Sequence, residues 1–167
     1  MRSQFLLFLM IFAVLVSQKS NADLDSSVQA VERARNAIAK AETVVSQIPE
    51  NSTELDYVVQ LLSKTSQDWD IALSSYNDAK ICSAKIMETS NESLREDYKA
   101  LFTVSKQLTE THANAVIIAA SYIRLVAKNN LDQLETIRNS IDEISQVKLL
   151  VRDNAEYTKE AIAEKYQ

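Results

Sequence analysis

The stretch "ANAVIIAASYIRLVA", residues 113–127, is the most apolar part of the chain once its first twenty-odd residues are set aside. Its 15 residues span about 22 Å as a helix, less than the roughly 30 Å hydrocarbon core of a membrane. The stretch is also interrupted by the charged Arg124. We therefore expect a buried helix of a folded protein here, and not a membrane span.

The polar residues around this stretch fall on one narrow face of a helix, at Gln107, Glu110, Asn114, Ser121, Arg124 and Lys128. A helix that is apolar over more than half of its circumference is expected to contact several neighbours inside a bundle. Ile117 fills the gap in the polar face and is the candidate exposed contact for a partner or ligand. Single exposed isoleucines without any such role are also common.

Glycine is absent from all 167 residues, and Pro49 is the only proline. Average chains contain about 7% glycine and 5% proline. Tight hairpins, phosphate-binding loops and dinucleotide-binding turns rely on glycine, so its absence excludes these features. The composition predicts an all-α chain with few turns.

Apolar residues recur at alternating spacings of three and four in four segments, as in amphipathic helices with heptad seams. The first segment runs from Leu24 to Ile48 and stops at Pro49, and the second runs from Leu55 to Ile86. The third follows "SNES", where Ser93 and Glu96 match a capping box, and the fourth follows Asn129 and Asn130, with Asn130 and Gln133 as a second capping pair. Short turns between long helices predict an antiparallel up-down bundle of four helices. A kink or break of the last helix near Asp153 is an alternative to one continuous helix.

The first 22 residues match a secretory signal peptide. Arg2 precedes the apolar run "FLLFLMIFAVLV", and small residues follow at Ser20 and Ala22. We expect cleavage after Ala22, a single domain over residues 23–167, and a secreted, extracellular protein. An uncleaved membrane anchor is the alternative, although twelve helical residues cover only about 18 Å.

The mature chain is expected to be acidic. Loss of residues 1–22 removes Arg2 and Lys19, which leaves 16 of the 18 basic residues beside all 23 acidic ones. A chain without a basic stripe is a poor partner for nucleic acid or for an anionic membrane surface.

Cys82 is the only cysteine, so a disulfide could join only two chains. The sequence leaves two interpretations open: an intermolecular disulfide, or a free thiol that fills a small gap in the bundle.

The only histidine, His112, is not expected to have a catalytic or metal-binding role. If helices two and three turn near residue 90, His112 lies level with Trp69, and Cys82 lies about 20 Å away. That distance excludes a Cys-His nucleophile pair and a shared zinc site. The remaining carboxylates are expected on solvent-facing positions. We therefore predict no catalytic residues, no metal site and no cofactor, with His112 packed at the bundle centre.

Two N-glycosylation sequons begin at Asn51 and Asn91, and both fall at expected turns between helices. A glycan could be carried there without disturbing the core.

Three functions fit this description. The first is a secreted, non-enzymatic bundle that binds an unknown protein partner or self-associates through an exposed helix face. The second is an extracellular carrier of lipid or another apolar ligand, although the acidic composition is unlike the basic margins of lipid-surface helices. A helical cytokine is disfavoured because such bundles need two long crossover connections.

Overall fold

The computed structural model describes residues 24–167. Within that range the chain forms four α-helices and no strand: α1 Asp25–Val45, α2 Leu55–Glu88, α3 Glu92–Ala127 and α4 Leu134–Lys165. This confirms the all-α class and the four long helices. The expected signal peptide, residues 1–22, lies outside the described residues.

Successive helices run in opposite directions. On α2 and α3, Tyr57 contacts Tyr122 while Asp68 contacts His112, so residue numbers rise on one helix as they fall on the other. Contacts between α3 and α4 follow the same rule. The antiparallel up-down arrangement is therefore confirmed.

Helix α3 is the centre of the domain. It packs against all three other helices, whereas α1 makes only a smaller contact with α2. The Cα atoms of α4 stay farther than 8 Å from those of α1 and α2, so the backbone of α4 approaches that of α3 alone, and α4 reaches α2 only through side chains. Burial follows this geometry, because α3 carries 14 buried residues and α4 only Leu134 and Ala155. The prediction that residues 113–127 contact several neighbours is confirmed.

Small residues allow the close approach of α1, α2 and α3. Ala34, Ala72 and Ala113, one from each helix, are fully buried in one cluster with Val116. A larger cluster nearer the α1–α2 turn surrounds Ile123. Alanine at these contacts lets helix backbones approach without cavities.

Helix ends are closed without glycine. At the end of α3, Asn129 adopts φ 53°, and the N–H groups of Asn129 and Asn130 donate to the carbonyls of Val126 and Leu125. This is the Schellman pattern, and asparagine is the residue other than glycine that most readily takes the left-handed conformation.

The predicted helix starts need correction. The N-cap of α3 is Asn91, whose Oδ1 accepts from the Leu94 N–H at 3.1 Å, so Ser93 lies inside the helix. The residue before α4 is Gln133, which makes no side-chain cap bond. Helix α4 continues through Asp153 without a break.

Candidate functional site

A groove separates α2 from α4, with α3 as its floor. It exists because α2 and α4 both pack on α3 while their backbones stay apart. One ion pair, between Lys148 on α4 and Asp68 on α2, crosses the groove. This crossing lies between a smaller cavity of about 170 Å³ and a larger one of about 660 Å³.

Asp68 joins three helices through its carboxylate. Lys148 Nζ donates to Oδ1 at 2.9 Å and to Oδ2 at 2.8 Å, and His112 Nδ1 lies 2.7 Å from Oδ1. Both Asp68 and His112 are 7% exposed. Burial alone would raise the pKa of Asp68, but the hydrogen bonds from His112 and Lys148 outweigh it, and the pKa lies below its usual value. The ionised carboxylate requires His112 Nδ1 to act as the donor.

The sequence reasoning placed His112 correctly but missed its partner. The hairpin estimate put His112 level with Trp69, and the observed partner is the neighbouring Asp68. The expectation that the carboxylates face solvent is wrong at Asp68. The signal was available, because Asp68 follows Leu61 and Thr65 at spacings of four and three on the buried face of α2.

A second polar cluster lies toward the α1–α2 turn. Tyr122 donates its hydroxyl proton to Glu54 at 2.5 Å, and Arg138 Nη2 donates to Glu54 at 2.9 Å and to the Tyr122 hydroxyl oxygen at 2.6 Å. The Arg138 guanidinium also lies 5.0 Å from the ring centre of Tyr57. Burial, and then the hydrogen bond to Glu54, raise the pKa of Tyr122 to about 12.

A third contact holds the far end of α4. Lys165 Nζ lies 2.8 Å from Asp97 Oδ2, and the Tyr166 hydroxyl donates to the same oxygen at 2.5 Å. Helix α4 is thus held to α2 and α3 by polar contacts at three levels, in addition to its apolar contacts with α3.

The larger part of the groove has an apolar floor and mixed walls. Leu108 and Ala155 are buried in its floor, while Ile71 and Leu149 are 42% and 51% exposed on opposite walls. Charged side chains of both signs line the rest of it. A space of about 660 Å³ is within the usual range of ligand-binding clefts, although this groove opens to solvent along its length.

The outward face of α4 carries a continuous exposed stripe. Five residues, all exposed, recur at spacings of three, four, three and four: Val147, Leu150, Asn154, Tyr157 and Ala161. We call them the outer seam. At 100° per residue the centre of the seam lies about 100° from the centre of the core-facing residues Ile144, Val151 and Ala155, and Val147 is the seam residue nearest to them, about 40° from Val151. Most of the seam is therefore turned away from α3, with Tyr157 the most exposed of its large side chains at 72%.

Cys82 and Ile117 occupy different environments. Cys82 is buried with Ala79 and Phe102, and burial raises the pKa of its thiol. Ile117 is only partly buried and packs against the cluster that contains Ile38. The part of Ile117 that remains open to a partner is correspondingly small.

Both sequon asparagines are exposed at helix connections. Asn51 lies in the turn between α1 and α2, and Asn91 caps α3 through Oδ1. A glycan would be linked to Nδ2, so glycosylation and capping at Asn91 are compatible.

No helix in residues 24–167 is long and apolar enough to cross a membrane. Over the same range, histidine, cysteine and carboxylate side chains form no group of three or more that could hold a metal ion. Comparison with known protein families, curated proteins and solved structures finds no match for the chain.

Proposed function

We propose that the chain is a secreted, non-enzymatic protein that acts by binding another protein molecule through the outer seam of α4. The observation that carries this proposal is the continuity of the exposed seam. Surface positions of a helix are normally polar, and an a/d pattern of apolar residues with one polar member, on the outside of a bundle, is a pattern that pairs helices.

Exposed apolar residues on α2 provide a contrast. No two of them lie three, four or seven positions apart, so they form no stripe along one face of the helix: Val59, Ile71, Leu73, Ile81 and Met87. Isolated exposed residues of this kind need no explanation. The seam differs because Val147, Leu150 and Tyr157 lie one turn or two apart on one face.

The non-enzymatic part of the proposal rests on the surroundings of His112. Asp68 is already saturated by His112 and Lys148, and no hydroxyl or thiol within residues 24–167 is hydrogen-bonded to the imidazole. A nucleophile and its base must lie within hydrogen-bond reach of each other. The arrangement serves to join three helices, and the apolar leader supports secretion.

The test is a pair of matched lysine substitutions in the secreted form of the chain. We expect Leu150→Lys to abolish concentration-dependent association, measured by light scattering after size-exclusion chromatography, without lowering the melting temperature. Ile81→Lys, at an exposed apolar residue of α2, is the control and should change neither. If Leu150→Lys still associates, the seam is not the interaction surface. If the parent protein neither self-associates nor binds another protein, the proposal has no basis.

Carriage of a lipid or another apolar ligand is the second candidate. The observation in its favour is the groove, with exposed Ile71 and Leu149 above a floor containing Leu108, beside a helix that buries only two residues. Separation of α4 would widen the groove and expose the apolar face of α3.

Clearance of phosphatidylcholine vesicles tests this second function. If the groove holds the ligand, Leu149→Asp should abolish clearance, while Tyr157→Asp on the outer seam should leave it unchanged. Vesicles that remain turbid with the parent protein would exclude the carrier function.

A further inference from the structure

We infer that the partner of the outer seam is a second copy of this chain, aligned in parallel, with Asn154 of each copy facing Asn154 of the other. The inference rests on the proposed function, since it requires the seam to be an interaction surface. It adds the identity of the partner, the orientation of the two helices and the residue that sets their register.

The seam has the composition of a two-stranded coiled coil. Val147, Asn154 and Ala161 occupy the first core position of successive heptads, and Leu150 and Tyr157 occupy the other. The β-branched Val147 and the following Leu150 are the pair of residue types that favours two strands in a parallel dimer. One asparagine within an apolar seam specifies register at a cost in stability.

Asn154 decides the orientation. In a parallel dimer the two Asn154 side chains meet, and an amide can both donate to and accept from an identical amide. In an antiparallel dimer that overlaps residues 147–157, Asn154 would face Leu150 of the other copy. The amide would then be buried without a partner, which is unfavourable.

The charges beside the seam favour the same orientation. In the antiparallel arrangement Asp153 of one copy would lie close to Asp153 of the other, and like charges repel. In the parallel arrangement Asp153 faces Thr158, and Glu160 faces Lys165 of the other copy. Asp153 already contacts Arg152, and Lys165 already contacts Asp97, in the same chain, so both of these effects are small beside that of Asn154.

The length of the seam limits the strength of the dimer. Residues 147–161 span about 21 Å, or two heptads, which is a short coiled coil. Stable interfaces bury about 1,200–2,000 Å² with roughly 20–30 residues a side, so two seams of five residues form a smaller interface than these. The dimer is therefore expected to form at high micromolar concentration and to dissociate on dilution.

Disulfide cross-linking tests the orientation in a Cys82→Ala background. The variants Val147→Cys and Tyr157→Cys place a thiol at either end of the seam, about 15 Å apart along the helix. In the parallel dimer each variant forms a disulfide with a second copy of itself under mild oxidation. An equimolar mixture of the two variants then gives no disulfide between positions 147 and 157. An antiparallel dimer gives the opposite result, in which only the mixture yields the 147–157 cross-link, and would overturn the inference.

A second variant tests the role of Asn154. Asn154→Val should strengthen association at least tenfold, because it removes a polar group from the interface, and should leave the melting point of the dilute monomer unchanged. Unchanged or weaker association would contradict the role given to Asn154. The Leu150→Lys experiment distinguishes protein binding through the outer seam from the parallel self-dimer. If Leu150→Lys abolishes association but Val147→Cys forms no disulfide with a second copy of itself, the parallel self-dimer is wrong and binding through the seam is not.

Discussion

Lys148 Nζ lies 2.8 Å from Asp68 Oδ2, and this ion pair joins two helices whose Cα atoms stay more than 8 Å apart. Asp68 also holds His112 on α3, so one buried carboxylate fixes the position of α4 against the rest of the domain. The pair therefore sets the width of the groove as well as contributing to stability.

Removal of Asp68 is expected to be more damaging than removal of Lys148. Asp68→Ala should lower the free energy of unfolding by about 3 kcal/mol, because it leaves the buried His112 and the partly buried Lys148 without their acceptor. Lys148→Met should cost about 1–2 kcal/mol, since His112 still contacts the carboxylate. Urea unfolding measures both. Lys85→Met, at the exposed pair with Glu88, is the control and should have no measurable effect. Equal effects of all three substitutions would contradict the importance given to Asp68.

Acid should destabilise the protein through Asp68. Because its pKa is lower in the folded state, its contribution is complete above the usual carboxyl pKa and is lost as the pH falls through the lower folded value. The melting temperature of the parent protein should therefore fall more steeply below about pH 4 than that of Asp68→Asn. Parallel curves for the two proteins would show that Asp68 is not the responsible group.

Alkali should act through Tyr122. Its pKa is raised from 10.0 to about 12 in the folded state, so its contribution is complete below pH 10 and is lost as the pH rises toward 12. Tyr122→Phe should be less stable than the parent at pH 8 by about 1 kcal/mol, because it loses the hydrogen bond to Glu54. The difference should shrink between pH 10 and pH 12. A constant difference across that range would exclude Tyr122 as its source.

Asn91 has two separable roles. Asn91→Ala should lower the free energy of unfolding of unglycosylated protein by about 1 kcal/mol through loss of the N-cap, whereas Asn91→Asp should not, because aspartate also caps well. Ser93→Ala removes the sequon and keeps the cap. In a eukaryotic secretory host, each of the three substitutions should lower the mass of the secreted protein by that of one glycan. Unchanged mass in all of them would show that the sequon is unused.

Cys82 should remain a free thiol in the folded protein. A side chain that is 8% exposed, with a pKa raised by burial, should react with thiol reagents at least tenfold more slowly than after denaturation. Non-reducing electrophoresis of the secreted protein should show the monomer. A band of twice that mass which disappears with reductant would support the intermolecular disulfide instead.

Much of the fold could be predicted because its determinants are local. The absence of glycine and the three-four spacing depend only on backbone freedom and on helical period, and they gave the class, the number of helices and their directions. Helix starts were harder to place. Asn91 and Ser93 both suit an N-cap, and packing of the whole of α3 decides between them.

What the sequence determined by itself is the set of faces that are apolar, including the long apolar surface of residues 113–127 that requires several neighbours. What only the tertiary structure decided is which faces find a neighbour. Heptad patterns on four helices would also fit a closed ring. Instead the backbone of α4 approaches α3 alone, Lys148 reaches across to the buried Asp68 of α2, and the outer seam stays exposed. The reason is physical: periodicity records the side of a helix that is apolar, whereas the burial of one carboxylate depends on a histidine 44 positions away and a lysine 80 positions away.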